Sequence, residues 1–177
     1  MKNYFLFILL FYTGIVEAQQ FNVGIRLQKT HQMYWENGVS TQYSFANFKP
    51  DRLFVGFDFV TSRLGSAFNS NALKQDSYIF SGSWHFFKKR QVHLVGRLNT
   101  GYLTTDLEED IFAQLPSSAF LLAPELGLNY SPKQFPFSLN TGIGFYVNMQ
   151  EESKTPGTFQ PLYYHLTLYY KLFENKK

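Results

Sequence analysis

The chain has 177 residues, no cysteine and a formal net charge of +3. That length fits one domain, the lack of cysteine excludes a disulfide framework and thiolate metal ligands, and so small and scattered a charge excludes the basic footprint of a nucleic-acid binder. Hydrophobic residues make up 45%, with twenty Phe and twelve Tyr among them, and aromatic side chains favour strands over helices.

The first segment, MKNYFLFILLFYTGIVEAQQ, has Lys2 before an unbroken apolar run from Tyr4 to Tyr12. Val16, Glu17 and Ala18 then offer small residues before a cleavage point. This is the pattern of a secretory signal peptide over residues 1–18. The run is shorter than the ~20 residues a spanning helix requires. The mature chain, residues 19–177, is expected to be a single domain, and no later segment is apolar enough for a transmembrane helix.

From Phe21 onward the pattern is period-2 alternation broken by turn residues, the signature of strands. The first run sets Phe21, Val23, Ile25 and Leu27 against Asn22, Gly24, Arg26 and Gln28. Glu36-Asn37-Gly38 reads as a type I′ hairpin turn. The second run sets Val39, Thr41, Tyr43 and Phe45 against Ser40, Gln42 and Ser44, and a compact turn falls at Phe48–Asp51. The third sets Leu53, Val55, Phe57 and Phe59 against Phe54, Gly56, Asp58 and Val60, before a long polar link over Ser62–Gln75.

The fourth and fifth runs form a hairpin around Phe87–Arg90. Tyr78, Phe80, Trp84, Phe86, Val92, Leu94 and Leu98 oppose Ile79, Ser81, Ser83, His85, His93, Val95, Arg97 and Asn99. A long acidic link follows over Thr104–Ser118. The sixth run sets Phe120, Leu122, Leu126 and Leu128 against Ala123, Glu125, Gly127 and Asn129, with a compact turn at Ser131–Pro136. The seventh sets Leu139, Ile143, Phe145 and Val147 against Asn140, Gly142 and Gly144. After the polar link from Met149 to Gln160, the eighth sets Leu162, Tyr164, Leu166, Leu168 and Tyr170 against Tyr163, His165, Thr167 and Tyr169.

About eight strands result, most near the ~9–11 residues that cross a bilayer at a tilt. Short turns alternate with longer links, and an even strand count brings both termini to the short-turn side. The charges decide which face is inside. Arg26, Asp58, Arg97 and Glu125 sit on the face opposite the Leu/Phe/Tyr set, at roughly one depth, two cations with two anions. A charge enclosed without a partner is costly, so this balance fits a narrow lumen with lipid on the apolar side. Tyr43, Tyr78, Trp84, Tyr102, Tyr130 and Tyr170 are candidates for interfacial girdles. The alternative is a soluble barrel with its apolar face inward.

With these runs the chain resembles the small eight-stranded outer-membrane barrels of the OmpA/OmpX type. The resemblance lies in pattern rather than in a motif. It implies an all-β, eight-stranded antiparallel up-and-down transmembrane barrel located in the outer membrane of a Gram-negative cell. It also implies a lumen filled by side chains and a non-enzymatic role exercised through extracellular loops, in envelope integrity, adhesion or partner binding. The partners it implies are outer-membrane lipid and lipopolysaccharide, with a protein at the loops. Barrels of this type commonly end on an aromatic residue; here Phe173 is followed by Glu-Asn-Lys-Lys.

Three sets of residues carry candidate chemistry. A three-residue turn at Lys88–Arg90 would put His85 opposite His93, but two imidazoles fall short of the three or four ligands of a zinc site, so neither metal nor cofactor is expected. His31, Asp76 and Ser77 fall at the outer rim and have the residue types of acyl transfer, a base, a carboxylate and a nucleophile. They resemble the rim His and Asp-Ser of the lipid A palmitoyltransferase family, which implies lipid A acyl modification as the alternative function. That family carries its Asp-Ser at the end of the third strand, whereas here it opens the fourth. The acidic run from Asp106 to Asp110 reads as a solvated loop.

Overall fold

The structure is a computed structural model and describes residues 18–30, 35–45, 52–64, 73–107, 118–148 and 162–174. The expected signal peptide lies outside the described residues, apart from Ala18. Nine strand segments are present: β1 (Ala18–Thr30), β2 (Trp35–Phe45), β3 (Leu53–Leu64), β4 (Leu73–His85), β5 (Val92–Leu107), β6 (Ser118–Tyr130), β7 (Phe137–Phe145), β8 (Val147–Asn148) and β9 (Leu162–Glu174). Tyr146 separates β7 from β8, and both pair with β6. These two make one wall, so the sheet has eight. Every neighbour is antiparallel in chain order, and β9 pairs back onto β1 through Ile25 and Leu168 to close the barrel. Closure leaves no sheet edge. No helix occurs among the described residues.

The burial pattern is inverted relative to a soluble barrel. Enclosed positions hold Arg26, Gln28, Asp58, Arg97, Asn99, Glu125, Asn140 and Thr167, whereas Ile25, Phe80, Leu126 and Ile143 are 59–65% exposed. Because successive strand residues point to opposite faces, one choice of face fixes the side for a whole strand. The expected sidedness of every strand is observed. An apolar layer of Leu103, Ala119 and Leu121, with Tyr146 packed on it, occupies part of the interior. Aromatic pairs line the outside: Phe59 with Tyr78 (centroids 5.3 Å apart), Phe57 with Phe80 (5.1 Å) and Phe137 with Tyr170 (5.2 Å).

Two turn assignments differ from the sequence expectation. Glu36, Asn37 and Gly38 are not a turn. They continue β2 and pair with Gln28, Leu27 and Arg26; residues 31–34 lie outside the described residues. Gly38 is needed for close approach rather than for turning, since a Cβ there would run into the Phe59 carbonyl oxygen. Extending the ladder also turns Glu36 inward, where it is 4% exposed.

The β4–β5 hairpin is wider than a three-residue turn. Phe86 N–H donates to the Leu94 carbonyl at 2.8 Å, and His85 faces Val95 rather than His93. Arg90 N–H closes the turn on the Phe87 carbonyl at 3.1 Å, with Phe87 at φ 54°. The slip is two residues, so no side chain changes face. The two histidines remain diagonal neighbours, within reach of each other. On the opposite end β3, β4 and β5 run further than expected, into Leu64, from Leu73 and to Leu107.

Candidate functional site

The lumen contains a continuous polar network whose central groups come from five walls. Arg26 comes from β1, Asp58 from β3, Arg97 from β5, Glu125 from β6, and Tyr163 and His165 from β9. Each stands on the inward parity of its strand, so strand closure alone aims them at one another. Arg97 Nη2 lies 2.5 Å from Asp58 Oδ2 and donates to Ser81 Oγ at 2.8 Å. Arg26 Nη1 reaches the same Asp58 oxygen at 3.2 Å, and its Nη2 is 3.6 Å from Glu125 Oε2. Arg26 thus bridges two carboxylates, and its Nε and Nη2 also donate to Gln28 Oε1 at 3.1 and 2.9 Å. Arg97 is in register with Glu125 on the neighbouring strand, yet its guanidinium reaches across to Asp58.

Glu125 is engaged on both oxygens. Its Oε1 is 2.7 Å from His165 Nε2. Its Oε2 accepts from Tyr163 OH and Asn99 Nδ2, each at 3.1 Å. His165 Nδ1 lies 3.1 Å from Thr167 Oγ1, which fixes the ring from its other side. A second branch leads away from Arg26. Gln28 Nε2 donates to Glu36 Oε2 at 2.7 Å and to Tyr146 OH at 2.8 Å. The side chains of Arg26, Asp58, Arg97 and Glu125 are at most 1% exposed. So enclosed a set of charges is tolerated because the charges are paired, although Asp58 Oδ1 and Arg97 Nε and Nη1 have no hydrogen-bond partner among the described residues. The network ties the walls to one another across the lumen and is enclosed by the surrounding side chains.

The sequence places Arg26, Asp58, Arg97 and Glu125 on one face, and the structure brings all four together. Glu36, Tyr146, Tyr163, Asn99 and His165 were not part of that expected set. Tyr163, Asn99 and His165 carried the signal of inward parity. Glu36 did not, because Asn-Gly beside it reads as a turn.

The other candidate residues lie apart from this network. Ser77 is on the inward face of β4 and buried, whereas Asp76 is on the outward face, accepting from Thr61 Oγ1 at 2.6 Å with Lys74 Nζ 3.8 Å away. The structure therefore does not bring Asp76 and Ser77 to one side, and His31 is outside the described residues. At the turn end His85 Nδ1 is 2.9 Å from His93 Nε2. Phe54 stacks on His85 with centroids 4.4 Å apart, and Lys88 lies over Phe54 at 4.7 Å while donating to Gln20 Oε1 at 3.3 Å. These groups form the floor of the barrel. Among the described residues no cluster of three or more His, Asp or Glu is arranged to hold a metal ion. Of the acidic run, Asp106 is exposed one residue before the end of β5, and residues 108–110 lie outside the described residues.

No protein-family model and no curated protein matches the chain. Solved structures do. The N-terminal β-barrel domain of Pseudomonas aeruginosa OprF is 10% identical, with a TM-score of 0.65 over 88% of this chain and 98% of that one. The outer-membrane protein OprG of Pseudomonas aeruginosa is 14% identical, with a TM-score of 0.50 over 90% of this chain and 98% of that one. These likenesses show the fold, that of a small eight-stranded outer-membrane β-barrel.

Proposed function

We propose that this is a non-enzymatic outer-membrane barrel whose wall and filled lumen serve as a rigid mount for its long loops. In this reading the short turns face the periplasm, the longer links face outward, and the function lies in contacts those links make, by adhesion, partner binding or support of the envelope. The observation that carries it is the enclosure of the charged network. With its central charged groups at most 1% exposed, the lumen offers no reactive group to a solute. The chemistry open to a partner is then concentrated at the two ends. Eight strands leave a barrel interior that side chains fill, which also argues against a wide pore.

The test is to replace residues 108–117 and 149–161 with short turns. The trimmed barrel should still show heat-modifiable gel migration, while surface attachment and detergent resistance of the cells fall to the level of cells lacking the chain. Trimmed and full-length chains giving the same attachment and resistance would overturn the reading.

A further inference from the structure

The turn end of the barrel is basic to an extent that the net charge conceals. Arg52 precedes β3, Lys88, Lys89 and Arg90 fill the β4–β5 turn, Lys133 lies in the β6–β7 turn and Lys171 is in β9. One carboxylate accompanies them among the described residues, Glu174, and it is 3.8 Å from Lys171. Arg52, Lys89 and Arg90 have no carboxylate partner among the described residues. At the opposite end the carboxylates Glu36, Asp76 and Asp106 stand with Lys29 and Lys74, the latter 3.8 Å from Asp76, so the strong excess of one sign belongs to the turn end.

These cations are not simply spread over solvent. A cleft of about 810 Å³ is lined by the cations Arg52, Lys88, Lys89 and Arg90, by the rings of Trp84, His85, Phe86 and Phe87, and by one carboxylate, Glu174, so the four cations outnumber it. Trp84 is on the outward parity of β4, and Phe86, one residue past the end of that strand, is 39% exposed. Arg52 is held at the cleft because its carbonyl accepts the His85 N–H at 2.8 Å. Phe87, next along the chain, is 78% exposed and held at φ 54°. The cleft thus sets cations beside the aromatic side chains of the β4–β5 hairpin.

From this geometry we infer that the turn end binds an anionic phospholipid, with the headgroup phosphate held by Arg52, Lys89 and Arg90 and the upper acyl chain against Trp84 and Phe86. Guanidinium groups suit phosphate oxygens, which they bind in bidentate fashion. Aromatic side chains are placed at the headgroup level in membrane barrels, and basic residues at a membrane surface attract acidic lipid. A soluble acidic partner would use the cations but would leave Trp84 and Phe86 without a role. The inference rests on the membrane-barrel reading but not on which end faces the periplasm.

The chain carries two tryptophans, Trp35 and Trp84, and they lie at opposite ends of the barrel. Trp35→Phe leaves Trp84 as the reporter. The refolded variant is placed in phosphatidylcholine vesicles containing a minor fraction of brominated phosphatidylglycerol or, separately, brominated phosphatidylcholine. Brominated phosphatidylglycerol should quench Trp84 more strongly at equal mole fraction. The preference should fall by roughly fivefold for each of Arg52→Gln, Lys89→Gln and Arg90→Gln, and should weaken at high salt. Lys88 is left intact because it also braces Phe54. Lys74→Gln, at the far end, should change nothing. Equal quenching by the two lipids in the unsubstituted turn would overturn the inference, and that result needs no variant beyond Trp35→Phe. Loss of heat-modifiable folding in vesicles would instead count against the barrel reading itself.

Discussion

Arg97 and Asp58, thirty-nine positions apart in the chain, meet across the lumen with Nη2 2.5 Å from Oδ2, their side chains 1% and 0% exposed. The same carboxylate oxygen is shared with Arg26 at 3.2 Å. One Asp therefore neutralises the near side of two buried guanidinium groups. Asp58→Asn should destabilise the barrel by about 3–5 kcal/mol, because it leaves enclosed charge uncompensated. Urea titration of the vesicle-inserted protein, followed by gel mobility, measures this. The double variant Asp58→Leu with Arg97→Met should recover most of the loss, since it removes charge in a pair. A loss below about 1 kcal/mol for Asp58→Asn would mean that the pair behaves as an exposed one.

The tight packing around the network makes a second prediction at Gly144. A Cβ there would collide with the Tyr163 ring and hydroxyl, and Tyr163 is one of the donors to Glu125. Gly144→Ala should therefore lose about 1–3 kcal/mol through overpacking and slow refolding into vesicles. Gly82→Ala is the matched control. Gly82 faces outward, and a Cβ there meets nothing within 4 Å, so its midpoint should stay within about 0.5 kcal/mol. Similar losses at both sites would show that Tyr163 does not lie over Gly144.

Sidedness was legible from sequence because it depends only on parity. Arg26, Asp58, Arg97 and Glu125 share the inner face whatever the register, so moving a strand boundary or slipping the β4–β5 hairpin by two residues leaves that result intact. Register was less legible. Asn37-Gly38 has the chemistry of a turn, but Gly38 is instead glycine because the β3 backbone passes close by. Nothing local distinguishes those two uses. The choice of partners was not legible either. Arg97 lies in register with Glu125 yet reaches Asp58, and Glu125 takes His165, Tyr163 and Asn99 instead. Such choices depend on how the walls come together across the lumen, which alternation along one strand does not encode.

Orientation gives a third prediction, from the exposed residues at the two ends. Asp106 stands exposed at the loop end of β5, and Lys89 is exposed in the β4–β5 turn. A bulky, membrane-impermeant maleimide should label Asp106→Cys on intact cells. It should label Lys89→Cys only after the outer membrane is permeabilised. The chain has no native cysteine, so each variant reports a single site. The reverse labelling pattern would invert the barrel and move its short turns to the cell surface.

The last prediction separates lipid from water on the apolar face. Leu126 is 60% exposed and is the neighbour of Glu125, so it sits on the outside of the wall at the depth of the central network. If lipid covers that face, Leu126→Arg places a charge near the bilayer midplane, at a loss of about 2–4 kcal/mol. If water covers it, the same substitution on an exposed strand position should stay within about 0.5 kcal/mol. The lumen is untouched in either case, because Leu126 and Glu125 point to opposite faces. Folding free energy into vesicles of defined thickness is the measurement, with Tyr130→Arg, four residues nearer the turn end, as a depth control. Because the penalty declines toward the interface, Tyr130→Arg should lose less than Leu126→Arg. Equal and small losses at both would return the chain to a water-covered barrel, and the polar, charge-filled interior would then have no apolar phase to be inverted against.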